Sequence, residues 1–330
     1  MTFEPRSWLA RSGHLQSIVA AMPIATPPRG FVPESTEDAR VPLPGGAGLL
    51  ARAWWQPGAM AGDVALVVHG LAGSSESRYA IRAAVALHRA GLHVVRLNLR
   101  GAGDGASFAP SFYHGGLTED VTVAADWLAA RAETARIHVV AFSLGGTVAL
   151  LAASEWGASP PAKVASVSAI SPPLDLATAS RWNERVAATF YRRHLLARLR
   201  EMVLGQARRF PDVVRVDLRA LGAARTVWQF DHDIVAPFHG FASAADYYAR
   251  VSPGPRLARI AIPTLVVHAD DDPLVPPSAI VPWLSRASPA VRSVRSPRGG
   301  HVTFARTMGA RDLVHSFAIE QVIASAIGEA

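Results

Sequence analysis

The sequence predicts an α/β fold in which a mostly parallel, eight-stranded sheet is flanked by helices and interrupted once by a helical insertion. Two observations carry that expectation. From Ala65 to Ile170, short apolar runs alternate with amphipathic helical stretches, the pattern of βαβ units with right-handed crossovers. Between residues 174 and 253 this rhythm stops, helical stretches follow one another without a buried strand, and the sheet resumes at Pro263.

Composition sets the outer limits. The chain has 330 residues, half of them hydrophobic and 18% charged, enough for a large buried core and unlike a disordered chain. No uncharged apolar run reaches the length of a membrane helix, and the start MTFEPRSWLARSGHLQ lacks the apolar core of a signal peptide, so a cytoplasmic location is expected. There is no cysteine, which excludes disulfides, thiol nucleophiles and Cys-based zinc sites. Net charge is +7, carried almost entirely by arginines scattered from Arg6 to Arg311; this reads as compositional bias, and no nucleic-acid partner is expected. A denser group, Arg192, Arg193, Arg198, Arg200, Arg208 and Arg209, lies in the helical insertion and is either a solvated helix face or an attraction for an anionic acyl substrate.

Taken in order, residues 1–35 read as an irregular N-terminal arm, rich in proline and aromatic residues. TEDARVPLPGGAGLLARAWW, from Thr36, predicts an opening hairpin that puts Leu49, Ala51, Ala53 and Trp55 on one face. Ala65 to Val68 is a strand buried on both faces, followed by the loop His69 to Ser75 and a helix from Tyr79 to Ala90 stopped by Gly91. His93 to Leu99 is the next strand. The Arg100-Gly101-Ala102-Gly103 turn after it lacks both the spacing and the following helix of a dinucleotide site. Thr118-Glu119-Asp120 caps a helix with Val121, Ala124, Ala125 and Leu128 on its apolar face. A strand through Ile137 to Ala141 leads into Phe142-Ser143-Leu144-Gly145-Gly146 and a helix, and Val164 to Ile170 is the strand that follows.

Residues 174–253 read as a cap over the C-terminal edge of the sheet, where ligands bind. Its helices are expected at Ala177 to Leu204, in pieces around Val213 to Leu221, and at Phe241 to Tyr248. The core, residues 1–173 and 254–330, then continues with a strand through Pro263 to Ala269, the turn Asp270-Asp271-Asp272-Pro273, a strand from Val291 to Val294, the Gly299-Gly300-His301 turn and a C-terminal helix from Ala310 to Ile327.

Chemistry concentrates at Ser143. A tight strand-to-helix turn demands small flanking residues, and Ala141 and Gly145 provide them in a nucleophile elbow with alanine in its first slot. The order Ser143, Asp272, His301, each just after a predicted strand, is that of an α/β-hydrolase triad. Serine is a weak nucleophile until a base removes its proton; His301 would do so, and Asp272 would fix its tautomer. The backbone N–H groups of Leu71 and Leu144 would hold the oxyanion. Asp270 and Asp271 compete for the acid role, and Asp175 is a further candidate after the preceding strand. His69 reads as a loop-structuring residue and His268 as packed on its strand. A metal site from His268 and the aspartates is the weaker reading of that turn, and neither metal nor cofactor is expected.

HGLAGSSES (His69 to Ser77), LNLRGAG (Leu97 to Gly103), FYHGGLTEDV (Phe112 to Val121), AFSLGG (Ala141 to Gly146), FDHDIVAPFHGF…DYY (Phe230 to Tyr248) and RGGHVTF (Arg298 to Phe304) together resemble the YheT-type branch of the α/β-hydrolases. That branch also holds lipases of the ABHD group and plant embryogenesis-associated proteins. The resemblance runs from the Trp8-Leu9…His14-Leu15-Gln16 arm almost to the C-terminus. It implies nucleophile, acid and base at Ser143, Asp272 and His301, and cofactor-free hydrolysis of carboxylic esters, acylglycerol or phospholipid esters among them.

The expected activity is therefore cleavage of short- to medium-chain acyl esters, extending to acylglycerols, through an acyl-serine intermediate. Acyl transfer by the same triad and a catalytically silent ligand-binding member of the fold are the alternatives. The expected partner is a small ester or lipid, with transient contact to a lipid surface through residues such as Trp182, Phe190, Tyr191 and Leu195 but no stable membrane insertion.

Overall fold

The computed structural model describes residues 3–21, 31, 33–58, 61–185, 188–307, 309–314 and 316–327. Eight strands are present: β1 (Ser35–Pro42), β2 (Gly48–Trp55), β3 (Gly62–Val68), β4 (His93–Asn98), β5 (Thr134–Phe142), β6 (Val164–Ile170), β7 (Thr264–Ala269) and β8 (Val291–Ser296). They form one sheet in the order β1-β2-β4-β3-β5-β6-β7-β8. The β1/β2 and β2/β4 pairs are antiparallel, and all other neighbours are parallel. This is the expected α/β-hydrolase architecture.

Strand periodicity divides the core in two. Val64, Leu66 and Val68 of β3 and Ile137, Val139 and Ala141 of β5 face one cluster, whereas Ala65, Val67, Val140 and Phe142 face the other. Both faces are apolar because helices cover both: α3 (Thr118–Ala129) and α4 (Leu144–Trp156) on the first side, α2 (Arg78–Arg89) and α13 (Phe317–Ile327) on the second. Each buried Val or Leu contributes on the order of 2 kcal/mol through burial. The first cluster runs on into the insertion through Leu196, Leu199, Val203 and Phe230, so cap and sheet share a core.

The insertion carries α5 (Leu176–Asn183), α6 (Thr189–Arg209), α7 (Leu218–Ala223), α8 (Val227–Phe230), a π-helical turn (Asp231–Val235), α9 (Ala236–Phe238) and α10 (Ala244–Val251). The single helix expected from Ala177 to Leu204 is two helices. The first is held at its end where Trp182 Nε1 and Asn183 Nδ2 donate to the carbonyls of Pro273 and Leu274, 3.1 and 3.0 Å away. Part of that expected helix, residues 186 and 187, lies outside the described residues. The last cap helix starts only at Ala244, because Ser243 Oγ accepts the Asp246 N–H and caps it there. Likewise Thr118 is the first helical residue of α3 and not its cap.

After β7 come α11 (Val281–Leu284), β8 and α12 (Ala310–Val314). The continuous C-terminal helix expected from Ala310 is broken before α13, where the Phe317 N–H donates to the Phe304 carbonyl at 3.0 Å and leaves the helical pattern. The arm, expected to be irregular, contains a 3₁₀ turn (Leu9–Arg11) and the helix α1 (Gly13–Ala21). Ser12 starts that helix: its Oγ accepts the Leu15 N–H and its carbonyl accepts the Gln16 N–H. Among the described residues no helix is long and apolar enough to cross a membrane.

Candidate active site

β5 ends at Phe142 and α4 begins at Leu144, so a single residue makes the corner. That residue, Ser143, has φ 52° and ψ −123°, a conformation that costs a side-chain-bearing residue about 1–3 kcal/mol and persists only where its surroundings enforce it. Here they do: Ser143 N–H donates to Ile170 O at 2.8 Å, and its carbonyl accepts the Thr147 N–H at 3.1 Å. Two glycines permit the close approach. A Cβ on Gly145 would overlap the His69 carbonyl oxygen, and one on Gly70 would come within 2.9 Å of the Ser143 Cβ. Ala141 is fully buried within β5, so alanine in the first slot of the elbow is accommodated.

The three residues named from the sequence meet here. His301 Nε2 lies 2.9 Å from Ser143 Oγ, and His301 Nδ1 lies 2.8 Å from Asp272 Oδ2. The other oxygen of Asp272 accepts the N–H groups of Leu274 and Val275 at 2.8 and 3.0 Å. Burial alone would raise the Asp272 carboxyl. The charge and hydrogen bond of His301, with His268 and the Leu274 N–H, outweigh it and hold the carboxyl below its ordinary value. The competing acids are engaged elsewhere: Asp270 pairs with Arg295 at 2.7 Å, Asp271 lies 3.7 Å from Arg298, and Asp175 caps α5 by accepting the Thr178 N–H at 3.0 Å.

Leu144 is the first residue of its helix, so its N–H has no intrahelical acceptor. Leu71 follows Gly70 in the loop after β3, and both leucines border the cavity above Ser143. That loop is fixed by groups the sequence did not single out. Tyr79 Oη accepts the Gly70 N–H at 2.8 Å, and Tyr113 donates its hydroxyl to Gly70 O at 3.1 Å. His69 is fully buried; its Nδ1 donates to Gly70 O at 2.8 Å and its Nε2 accepts the Leu99 N–H at 3.3 Å. Burial depresses its pKa to about 4, against the opposing pull of the Gly70 carbonyl, so the ring is neutral and structural. His268 is buried on β7, as expected.

The arm reaches the same place. His301 donates its backbone N–H to Ser17 Oγ at 2.7 Å, and Gln16 Oε1 accepts the Ala305 N–H at 2.8 Å while its amide donates to Ala10 O at 2.7 Å. A Cβ on Gly13 would collide with the Asp271 carbonyl and lie 2.6 Å from the Gly299 carbonyl. On the other side, Ser171 Oγ accepts the Val302 N–H at 3.2 Å. The histidine loop is thus clamped between arm and sheet.

Two recesses flank Ser143 and His301. The inner one, about 200 Å³, is bounded on the core side by Ser143, Leu144 and His301 and on the cap side by Leu176, Leu195, Val227 and Asp231. The outer groove is bordered by His301 and Val302 but not Ser143, and by Glu76, Arg78, His194 and Arg198.

Residues 64–305 match the family model of the alpha/beta hydrolase fold. YheT of Escherichia coli, named as an esterase, is 33% identical over 239 residues, which are 72% of this chain and 69% of that protein. The monoacylglycerol lipase of Saccharomyces cerevisiae is 28% identical over 244 residues, 72% of this chain; the match spans only about half of that lipase, 54%. Among solved structures, an esterase of Pyrobaculum calidifontis superimposes with a TM-score of 0.55 at 18% identity, covering 98% of this chain and 92% of that one.

Proposed function

The chain belongs to the alpha/beta hydrolase fold family as an esterase- and lipase-like member, and from that premise we propose that it cleaves carboxylic esters through an acyl-Ser143 intermediate. The observation that carries this reading is the unbroken hydrogen-bond relay from Asp272 through His301 to Ser143, at 2.8 and 2.9 Å.

In the proposed cycle His301 Nε2 takes the hydroxyl proton as Ser143 Oγ attacks the ester carbonyl carbon. The oxygen that becomes negative is held by the Leu71 and Leu144 N–H groups, at the positive end of α4. Collapse breaks the ester bond, and His301 returns the proton to the departing alcohol. Water then repeats the sequence: it gives a proton to His301, adds to the acyl carbon, and the proton goes back to Ser143 Oγ as the acid leaves. Asp272 stays ionised throughout and balances the imidazolium.

Leaving-group protonation requires the alcohol on the His301 side. The outer groove, which His301 borders and Ser143 does not, is assigned to the alcohol, and the inner recess under cap residues 174–253, which both border, to the acyl chain. About 200 Å³ is below the roughly 300–1,000 Å³ of sites for drug-sized ligands, which favours short- to medium-chain acyl groups, with monoacylglycerols as candidates. Access to a lipid surface is assigned to the apolar side chains exposed on the arm and on α6: Trp8, 76% exposed, and Phe190, 68%, with His14 and Tyr191 stacked between these elements.

The test is Ser143→Ala. It should abolish both hydrolysis of p-nitrophenyl esters and labelling by a fluorophosphonate probe, in a protein that melts like the wild type. Persistence of either signal places the nucleophile elsewhere. A panel of esters from acetyl to long acyl then reads the depth of the recess.

A further inference from the structure

The inner recess is not uniformly apolar. Asp231 borders it on the cap side, as do Leu176, Leu195 and Val227. No cation pairs with this carboxyl among the described residues. Its Oδ2 accepts the Tyr248 hydroxyl at 2.5 Å, and Tyr248 lies 3.1 Å from Ser180 Oγ; because a phenol has one proton, Ser180 donates to Tyr248 and Tyr248 donates to Asp231. Ser180, Tyr248 and Asp231 all border the recess. No hydrogen bond from a described residue reaches Asp231 Oδ1.

A buried carboxyl without a cation is expensive, and a cap built only to bind alkyl chains would be more stable with leucine there. The local backbone is unusual as well. Asp231 opens a π-helical turn, Asp231–Val235, between α8 and α9; such turns cost helix regularity and recur where a side chain must be re-aimed. Burial raises the Asp231 carboxyl to about 7, with only the Tyr248 hydrogen bond opposing. Ionised it accepts at Oδ1, and protonated it donates from Oδ1, because Oδ2 holds the Tyr248 hydrogen bond; a hydroxyl partner serves either form.

We propose that Asp231, set by Tyr248 and Ser180, is a specificity-determining subsite that selects esters whose acyl chain carries a hydroxyl group over the corresponding plain alkyl esters. A hydroxyl suits the site better than an ammonium group, because a hydroxyl both donates and accepts whereas an ammonium only donates, and the existing network is a relay of hydroxyls. It would pair with Asp231 Oδ1 and leave the Tyr248 bond in place. This inference rests on the esterase reading above, since it assigns the acyl chain to this recess.

The experiment compares kcat/KM for p-nitrophenyl ω-hydroxyacyl esters of graded length with their plain acyl counterparts. Wild-type protein should favour the hydroxyacyl ester of the best-fitting length roughly tenfold or more, the range of a hydrogen bond to a charged or strongly polar partner. Asp231→Leu should reverse this: hydroxyacyl turnover falls and plain-acyl turnover rises. Asp231→Asn, which keeps a side-chain carbonyl, should retain part of the preference, whereas a merely structural residue would lower both substrates together. Wild-type kcat/KM that is equal for the two series overturns the proposal, as does an unchanged ratio in folded Asp231→Leu. A preference for ω-aminoacyl over ω-hydroxyacyl esters also overturns it and makes Asp231 a counter-ion. If no ester is turned over and Ser143 is not labelled, it is the esterase reading that fails. Calorimetric binding of ω-hydroxy against plain fatty acids then decides the subsite by itself, with equal affinities counting against it.

Discussion

Replacing Gly145 by alanine isolates the geometry of the oxyanion site from its chemistry, since no side chain that moves a proton is touched. The added Cβ would overlap the His69 carbonyl oxygen and sit 3.0 Å from both the His69 carbonyl carbon and Val68 O. Ordinary carbon–carbon contact begins near 3.5 Å, so α4 and the loop after β3 must separate by at least about 0.5 Å. The loop has little freedom to yield, with Gly70 held by Tyr79 and Tyr113 and His69 held by the Leu99 N–H. The displacement therefore falls between the two amides, Leu71 on the loop and Leu144 on the helix. A misplacement of roughly 1 Å costs on the order of 100-fold, and loss of an oxyanion donor 100- to 1,000-fold, so half that movement should lower kcat about 10- to 100-fold. In free energy this is about 1.4–2.7 kcal/mol of transition-state stabilisation. Because the interaction exists only in the transition state, KM should hold while kcat falls. Steady-state kinetics on a p-nitrophenyl ester reads the effect, with thermal melting as the check on folding. Gly205→Ala is the control: it lies in α6 with nothing within 4 Å of its added Cβ, and should raise helix stability by about 0.5–1 kcal/mol. A folded Gly145→Ala protein with wild-type kcat would refute the placement of the oxyanion between Leu71 and Leu144.

Three further outcomes follow from the same contacts. Asp272→Asn should drop kcat about 10⁴-fold with the fold retained: the amide oxygen can still accept the Leu274 and Val275 N–H groups, but its NH₂ faces His301 Nδ1 and enforces the wrong tautomer; activity within tenfold of wild type contradicts the role of Asp272. Ser17→Ala frees the backbone N–H of His301 and should cost kcat about tenfold with KM held, and Ser17→Thr should restore it; a fall in melting temperature without a kinetic change would make Ser17 structural only. Burial raises the Asp231 carboxyl to about 7 from an ordinary value of 3.8, so the folded state binds the extra proton between these limits; the Asp231 contribution to stability should fall as pH rises from about 4 to 7, and chemical denaturation of Asp231→Asn against wild type should show the difference in stability changing by that amount across the window. The titratable groups coupled to it are Tyr247 and Tyr248 on α10, both raised by burial, so neither ionises in that window to mimic the effect.

The proposed catalytic elements are legible because each sits shortly past a strand whose own pattern is strong. Val64 to Val68 and Ile137 to Phe142 are apolar on both faces, which admits little but a central parallel strand, and a parallel sheet brings all its strand ends to one edge. Leu71, Ser143, Asp272 and His301 could therefore be assembled on paper without any knowledge of distances. What escaped was whatever depends on long-range backbone hydrogen bonding. Ser17 and His301 are 284 positions apart, and nothing in SGHLQS announces that one hydroxyl will receive the histidine N–H. The proline and aromatic content of residues 1–35 suggests an irregular arm and hides α1, where position 13 is glycine because the chain there presses against the Asp271 and Gly299 carbonyls. The cap failed differently. α6 has a weak amphipathic pattern, burying only Leu196, Leu199, Val203 and Gln206 over 21 residues, and the start of α10, whose stripe Ala244, Tyr247, Tyr248 and Val251 is regular, is set by the Ser243 cap.

These misses share a physical origin that bears on mechanism. In the proposed cycle His301 must be fixed to within a fraction of an ångström yet carry a charge in each half-reaction, and its own loop, Gly299-Gly300-His301, belongs to no helix or strand. The constraint is imported: Ser17 from the N-terminal arm holds the His301 N–H, Gln16 holds Ala305, and Ser171 at the end of β6 holds Val302. A Cβ on Gly300 would meet the Ser17 N and Gln16 Cβ at 2.7 and 2.6 Å, so arm and loop fit only with glycine between them. The same arm meets the cap, where His14 Nδ1 lies 3.2 Å from the Tyr191 hydroxyl at the start of α6. Residues 13–17 thus touch both α6 and the His301 loop. Truncating the arm should therefore lower kcat for all esters alike, while changes within the cap recess should alter which ester is preferred.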